Sequence, residues 1–513
     1  MDVGRNEGGP IRDGQGPVGA APVDGAAHAG PPRLAIPLAI GIGLRLLLAL
    51  VNREANDNHV AVISLIADKH SLPPLEACWA CYHAKLYHLV CAVLVNLLGL
   101  RQAGARTVLA QLVSVAAGTG TLLVLRRFLR DRAALDDSAL AARAGFWGFT
   151  LLALAPDMVG IDAQATNDSA VIFLSTLALW SLWRFLRDGA RRHAAVAAGA
   201  AALAAITKAS GLVTLAVCIT AVGVQWASRR FAAQGRHPES AGPPRSGPFV
   251  PARGPAHALA LAMLLGASVL FVPFAGPYFS HWKRLGSPFV INVSKDVPAP
   301  LLVDDPIRRA GVTSVANAYF TFRFLDLLEN PSITQRPEPV PFHRTSLWTQ
   351  LYGRFNFSRF AQWPPSWATA SRRVLALGRS IFILALLPTA LALFGFVRAL
   401  RPWFDAATGR MRMLAWGADW VFPLAACAFL AMLLKLTHDY RCFCTMKPIY
   451  LLPGVLAGLA FFVDGSTWFL QRIGRVRVVF PFWLGALAGL YVIDLLMLAE
   501  KLARVLALYG GHR

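Results

Sequence analysis

Apolar stretches of about 18–22 residues alternate with short arginine-rich loops along most of this chain; a helix of about 20 apolar residues crosses a bilayer core. About eleven such stretches can be placed by their hydrophobic runs. They lie near residues 34–51, 107–125, 144–154, 169–183, 194–207, 211–226, 256–273, 379–396, 414–434, 449–463 and 479–498. The expected fold class is an all-α polytopic membrane protein. The polar positions between the stretches are uneven. One set of loops holds Arg126, Arg127, Arg130, Arg132 and Arg143, then Arg184, Arg187, Arg191 and Arg192. It continues with Arg229, Arg230, Arg236, Arg245, Arg398, Arg401, Arg410, Arg412, Arg472, Arg475 and Arg477. The other loops carry carboxylates, histidines and isolated lysines. The positive-inside bias makes the arginine loops cytoplasmic. The N-terminus is then inside, the C-terminus outside, and the chemistry falls to the outer face.

The run at 86–100 breaks this alternation. Counting it as a crossing would put Arg126–Arg132 outside, so it reads as a re-entrant or interfacial segment covered by protein. Residues 1–32 are rich in Gly, Ala and Pro and read as a disordered cytoplasmic tail with no cleavable signal. Residues 33–275 form an N-terminal membrane region with outer acidic loops, interrupted by a Pro/Gly/Arg-rich cytoplasmic linker at about 227–255. Residues 276–375 form a long outer loop rich in Trp and Pro, whose aromatic content suits a compact cap of short helices at a membrane interface. Residues 376–513 form a C-terminal membrane region.

With 513 residues, 56% hydrophobic and only 15% charged, the chain is no ordinary soluble domain. Its net charge of +22 is spread over short loops between spans, which reads as topology and anionic-lipid contact rather than nucleic-acid binding. Cys91, Cys218 and Cys427 lie in apolar runs, whereas Cys78, Cys81, Cys442 and Cys444 lie in outer loops where disulfides form.

Five groups carry candidate chemistry. Asn56, Asp57, Asn58 and His59 follow the first span, where a carboxylate is either a general base for a surface-held substrate or a helix cap. Asp162, Asn167 and Asp168 occupy the next outer loop, again as binding groups or caps. Cys78, Cys81, His83, Lys85 and His88 form a compact set. A disulfide or two thiols is preferred there to zinc, because no second spaced pair completes a ligand set. Lys208, and His438 with Asp439, Arg441, Lys447 and Tyr450, stand at membrane level, where ionisable residues are costly. Lys208, Arg441 and Lys447 either neutralise a lipid-borne phosphate or snorkel as anchors.

With these motifs in place, the chain resembles the GT-C superfamily of polytopic glycosyltransferases, among them bacterial relatives of protein O-mannosyltransferases and lipid A aminoarabinose transferases. The resemblance is carried by Asn56 and Asp57 after the first span, and by the turn from Tyr82 through His83 and Lys85 to Tyr87. It continues through the acidic loop from Ala155 and Pro156 to Asn167 and Asp168, Thr207 and Lys208 with Gly211, and Lys447 with Tyr450 and Pro453. Asn58 follows Asp57 where the family has a second acid, and Ala84 and Lys85 replace two turn prolines. The resemblance implies transfer of a sugar from a polyprenyl-phosphate donor to a lipid, glycan or protein acceptor on the outer face, in a bacterial inner membrane. Asp57 is then the catalytic base. Lys208, Arg441 and Lys447 neutralise the leaving phosphate, and Asp168, Asp162, Lys85 and Tyr450 line the substrate site. His83 and His438 are candidate ligands of a divalent metal, the one cofactor considered. The rival class is a transporter or lipid flippase, which expects charges inside several spans and broken helices. Concentration of the charges at the outer edge favours the enzyme.

Overall fold

The computed structural model describes residues 34–53, 58–74, 77–78, 80–135, 138–234, 254–271, 275–285, 314–331, 346–360, 367, 371–401, 417–440, 445–474 and 476–510. Asp57, Arg441, Cys442, Cys444, the 1–32 tail and much of the linker and cap lie outside them. Every regular element among the described residues is a helix. In chain order these are α1 (Ala35–Val51), α2 (His59–Lys69), α3 (Leu86–Leu97), α4 (Ala103–Ala133), α5 (Ala139–Leu154) and α6 (Pro156–Asp162). Then come α7 (Asn167–Asp188), α8 (Arg191–Ala205), α9 (Ser210–Gln234), α10 (Gly254–Phe271) and α11 (Gly276–Leu285). The cap region contributes α12 (Val315–Phe320), α13 (Phe324–Glu329) and α14 (Leu347–Asn356). The chain closes with α15 (Arg372–Leu400), α16 (Val421–Tyr440), α17 (Val455–Arg472) and α18 (Val476–Gly510).

Seven of these, α4, α7, α9, α15, α16, α17 and α18, are long and apolar enough to cross a membrane. The pair α5 and α6, bent by 49°, makes an eighth if it is one span. That is fewer than the eleven expected from hydropathy, for a physical reason. α1, with 17 residues, stands at the lower limit of a crossing, and α8, with 15, falls below it. α3 has 12 residues and rises only about 18 Å. Gly99 at φ 62° then turns the chain into α4, and Arg106 of α4 pairs with Asp68 of α2 at 2.7 Å.

Local chemistry sets the breaks. Pro156 lacks an N–H and forces Ala155 into an extended conformation (ψ 126°), so α5 ends and α6 restarts at an angle. The Thr166 hydroxyl accepts from the Asp168 N–H to cap α7, and Gly189 closes that helix at φ 69°.

Small residues govern the packing. α8 buries Ala194, Ala197, Ala198, Ala201 and Ala204 against its neighbours. α15 and α17 approach backbone to backbone, since a Cβ on Gly395 would overlap the Phe461 carbonyl and one on Gly465 the Leu391 carbonyl. Gly465→Ala is expected to destabilise the protein by about 1–3 kcal/mol, read as a lower melting temperature in lipid; an unchanged melting temperature would show that the two backbones can separate without loss.

The two ends of the bundle differ. At one end the arginines of separate helices share carboxylates. Arg132 of α4 reaches Asp464 of α17 at 2.7 Å, and Arg184 of α7 reaches Asp131 of α4 at 3.5 Å. Trp183 Nε1 donates to Asp419 at 2.7 Å. Inside the bundle, Arg45 of α1 pairs with Asp162 of α6 at 2.8 Å and donates to the Ala153 carbonyl at 2.7 Å. Gly118 of α4 leaves room for that carboxylate. This interior charge pair was not legible in the loop pattern.

Candidate functional site

The opposite end gathers five chain segments. The first is the turn before α3. A disulfide joins Cys78 and Cys81, and the Cys81 and His83 N–H groups donate to the carbonyls of Cys78 and Ala80 at 3.0 and 3.3 Å. The Lys85 ammonium folds back on the Cys81 carbonyl. The Leu86 N–H donates to the Ile206 carbonyl at 3.2 Å, which hooks this turn onto the second segment, between α8 and α9.

In that second turn the N–H groups of Thr207 and Lys208 both donate to the Ala204 carbonyl. A Cβ on Gly211 would overlap the Ala204 backbone, so only glycine lets the turn close. The third segment is the α6–α7 corner. Asn167 Nδ2 donates to the Thr207 carbonyl at 3.2 Å, and Asp168 takes the Lys208 ammonium on one oxygen and the Thr166 hydroxyl, at 2.9 Å, on the other. The fourth segment is the 3₁₀ turn Pro448–Tyr450, whose Tyr450 ring centroid lies 5.9 Å from the Lys208 nitrogen. The fifth is α14, which brings Arg354 in from the cap. Arg354 is only 8% exposed, and its Nε donates to Gln350 at 2.7 Å.

Electrostatics ties the five together. Asp157, at the start of α6, lies within reach of Arg354, Asp168 and Lys447. Its buried Oδ2 has no hydrogen-bond partner among the described residues. Burial pushes the Arg354 guanidinium down to about 10, with Asp157 opposing the shift. Burial likewise pushes Lys85 down to about 8. His83 is held well below the usual histidine range by burial first and then by Lys208, so it is neutral at neutral pH. Its ring stacks on His59 at 5.3 Å, and His59 Nδ1 shares a hydrogen bond of 2.9 Å with His88 Nε2.

The structure therefore brings His83, Lys85, Asp168, Lys208, Lys447 and Tyr450 to one end. Asp162 is not with them as a substrate ligand: Arg45 neutralises it inside the bundle, and it is 1% exposed. His438 is exposed at the end of α16, where the neighbouring Asp439 pairs with Lys435. Asp57 and Arg441 lie outside the described residues.

Sequence reasoning missed Asp157 and Arg354. Pro156 followed by an acid at a helix start was a usable signal for the first; nothing local marks the second. A divalent metal does not fit the described residues. No group of three His, Cys, Asp or Glu side chains is placed to hold one. The expected His83 and His438 belong to no such group among the described residues.

No family model matches this chain, and no curated protein does. Among solved structures, it is similar to ArnT from Cupriavidus metallidurans bound to undecaprenyl phosphate. That match has 14% identity and a TM-score of 0.33, over 85% of this chain and 77% of that one. It is similar to the Archaeoglobus fulgidus oligosaccharyltransferase in the apo form, at 11% identity and TM-score 0.44, over 92% of this chain and 55% of that one. It is also similar to the mycobacterial arabinofuranosyltransferase AftD, at 15% identity and TM-score 0.39, over 90% and 27%.

Proposed function

We propose that this integral membrane protein is a glycosyltransferase of the GT-C type, moving a sugar from a polyprenyl-phosphate donor to an acceptor on the outer face. One observation carries the reading. Sequence motifs scattered from Tyr82 to Pro453 meet at the end of the bundle opposite the arginines, and they meet as chemistry: cations around buried carboxylates. Such a site suits a reaction in which an acceptor hydroxyl oxygen attacks the anomeric carbon. The bond from that carbon to the phosphate oxygen breaks, and its electron pair leaves with a lipid phosphate. Lys85, Lys208, Lys447 and Arg354 supply fixed positive charge for that leaving group.

The acceptor's proton goes to a carboxylate. Asp57 stands two residues before His59 in the sequence. His59 is buried in the His83–His88 stack. We assign the base to Asp57, on its place beside His59 in the sequence and on the resemblance carried there. Asp157, with one oxygen unengaged, holds the acceptor. Asp168 orients Lys208. The cap, through α14, covers the site and limits hydrolysis of the donor.

The same reading completes the topology. α1, α8 and α10 also cross within the bundle and make eleven passes, with α3 at the interface. Tags at Arg143 and Arg513 should then differ, only the second reacting with an impermeant reagent from outside; reaction of both would invert the scheme.

The direct test is mass spectrometry of lipids from a strain lacking the gene. A polyprenyl-phosphate sugar should accumulate, and an unaltered lipid profile removes this reading.

A pH profile follows from Lys85. Its proton is lost as pH rises through about 8, so kcat/KM for the donor should fall above that point. Stability should move the other way. Between about 8 and the ordinary value of 10.5 the unfolded chain binds more protons at Lys85 than the folded one, which makes folding more favourable as pH rises. Lys85→Arg should remove the inflection in kcat/KM. An inflection that survives this change belongs to another group.

A further inference from the structure

We propose that the hairpin formed by α12 and α13 is a membrane foot, with Phe320, Phe322 and Leu325 seated among the lipid chains of the leaflet nearest the site. This surface stands apart from the reaction assigned above. Phe320 is 83% exposed, Leu325 77% and Phe322 46%, while Ala318 and Leu327 on the inner side are fully buried. So large an apolar patch on a short hairpin needs a cover.

Several of the hairpin's polar groups are paired, within it or with α14 and its cap. Arg323 Nε donates to Asn317 Oδ1 at 3.2 Å, and its Nη1 lies 3.8 Å from Asp326. The Arg323 N–H donates to the Thr349 hydroxyl at 2.9 Å, and the Thr321 carbonyl accepts from Ser346 at 2.5 Å. Its most exposed large side chains are apolar, beside the partly exposed Arg323–Asp326 pair.

Its height identifies the cover. α15 exposes one stripe through Arg379, Ile383, Leu386, Leu393 and Val397, a helical spacing that marks its lipid face. The guanidinium of Arg379 donates to the carbonyls of Leu328 and Glu329 at 2.6 and 3.1 Å. The hairpin is therefore fastened to α15 one turn, about 6 Å, from the first apolar residue of that stripe. Interfacial helices bury their apolar face about 5–10 Å into the headgroup boundary, and the patch continues the lipid face already present. A bilayer fits it; an aqueous partner would have to sit where α15 meets lipid.

The consequence reaches the site. The inner side of α12 joins Leu347, Leu433 and Met446 in a small core, with Tyr450 packed on it, and the Tyr319 hydroxyl donates to the Leu434 carbonyl at 3.1 Å. Lipid contact on one side thus holds a wall of the site on the other.

Nitroxide labels at Phe320→Cys and Leu325→Cys test this in nanodiscs of phosphatidylcholine and phosphatidylglycerol, with the signal of the unsubstituted protein subtracted. A label at Leu135, in the loop after α4, is the aqueous reference. Collision with oxygen relative to a water-soluble nickel chelate should be several-fold higher at both cap positions than at the reference. Contact dominated by the chelate overturns the proposal in favour of a water-facing patch. Protection from both reagents overturns it in favour of a protein cover, a second copy or a partner. Either label reads the outcome alone if the other variant fails to insert.

Discussion

Asp57→Asn is expected to lower turnover by about 10²–10⁴-fold, the usual cost of removing a general base, while the protein still inserts and binds donor. Asparagine keeps the shape and much of the hydrogen bonding of the side chain but cannot take the acceptor's proton. Donor KM should stay near its original value, because the carboxylate acts on the other substrate. Asp157→Asn is the companion measurement. Asp157 has a buried oxygen with no partner among the described residues and two cations in reach; its loss should raise acceptor KM with a smaller change in kcat. Near-normal turnover in Asp57→Asn together with collapse in Asp157→Asn would move the base onto α6. Collapse of neither would end the glycosyl-transfer assignment.

Lys447→Met and Arg354→Met should each raise donor KM by about 10–150-fold. A hydrogen bond to a charged group contributes about 1.5–3 kcal/mol, and the phosphate is the charged part of the donor. The two positions are chosen because Asp157 feels both, so they border one space from opposite sides of the chain. Lys208 is a poorer probe. Its partner Asp168 is buried, and removing the lysine strands that carboxylate, so a loss of folding would be confused with a loss of binding. The double variant should lose less than the product of the two singles, since the charges share one ligand. Unchanged donor KM in both, with kcat reduced, would mean that these cations serve the fold or the acceptor and not the phosphate.

Much of this arrangement could be read before any coordinates, and the reasons differ by element. The turn at 207–211 was visible because its closure demands a glycine, and a local demand leaves a local mark. Pro156 entered the sequence reading only as the start of the acidic loop in the family resemblance, and it is the residue that breaks the chain between α5 and α6. Lys208, Lys447 and Tyr450 were legible as ionisable or aromatic groups at membrane level, where their cost calls for a purpose. Arg354 carries no such mark. It lies in the aromatic cap and gains meaning only from Asp157, which is distant in sequence and adjacent through the fold. Asp162 misled for the same reason. An acid in an outer loop looks like a site residue until Arg45, 117 positions earlier, is found beside it. Hydropathy scores apolar runs and does not measure helices, so the described helices long and apolar enough to cross number seven, or eight with the bent pair. The alanine run of α8 is apolar enough to register and too short, at 15 residues, to cross alone.

The pairing of Arg45 with Asp162 also bears on how the chain is made. An arginine near the middle of a membrane helix costs about 2.5–3.5 kcal/mol on the insertion scale, and α1 carries one with no acid of its own. Its partner is synthesised only after α4 and α5, so for more than a hundred residues of translation the first helix holds an uncompensated charge. α1 is thus an incomplete insertion signal that becomes a settled helix when α6 arrives. On the proposed topology, the ribosome-bound intermediate should hold it beside the translocation channel or a chaperone until then, and the N-terminal half of the protein should enter the bilayer as a group rather than helix by helix.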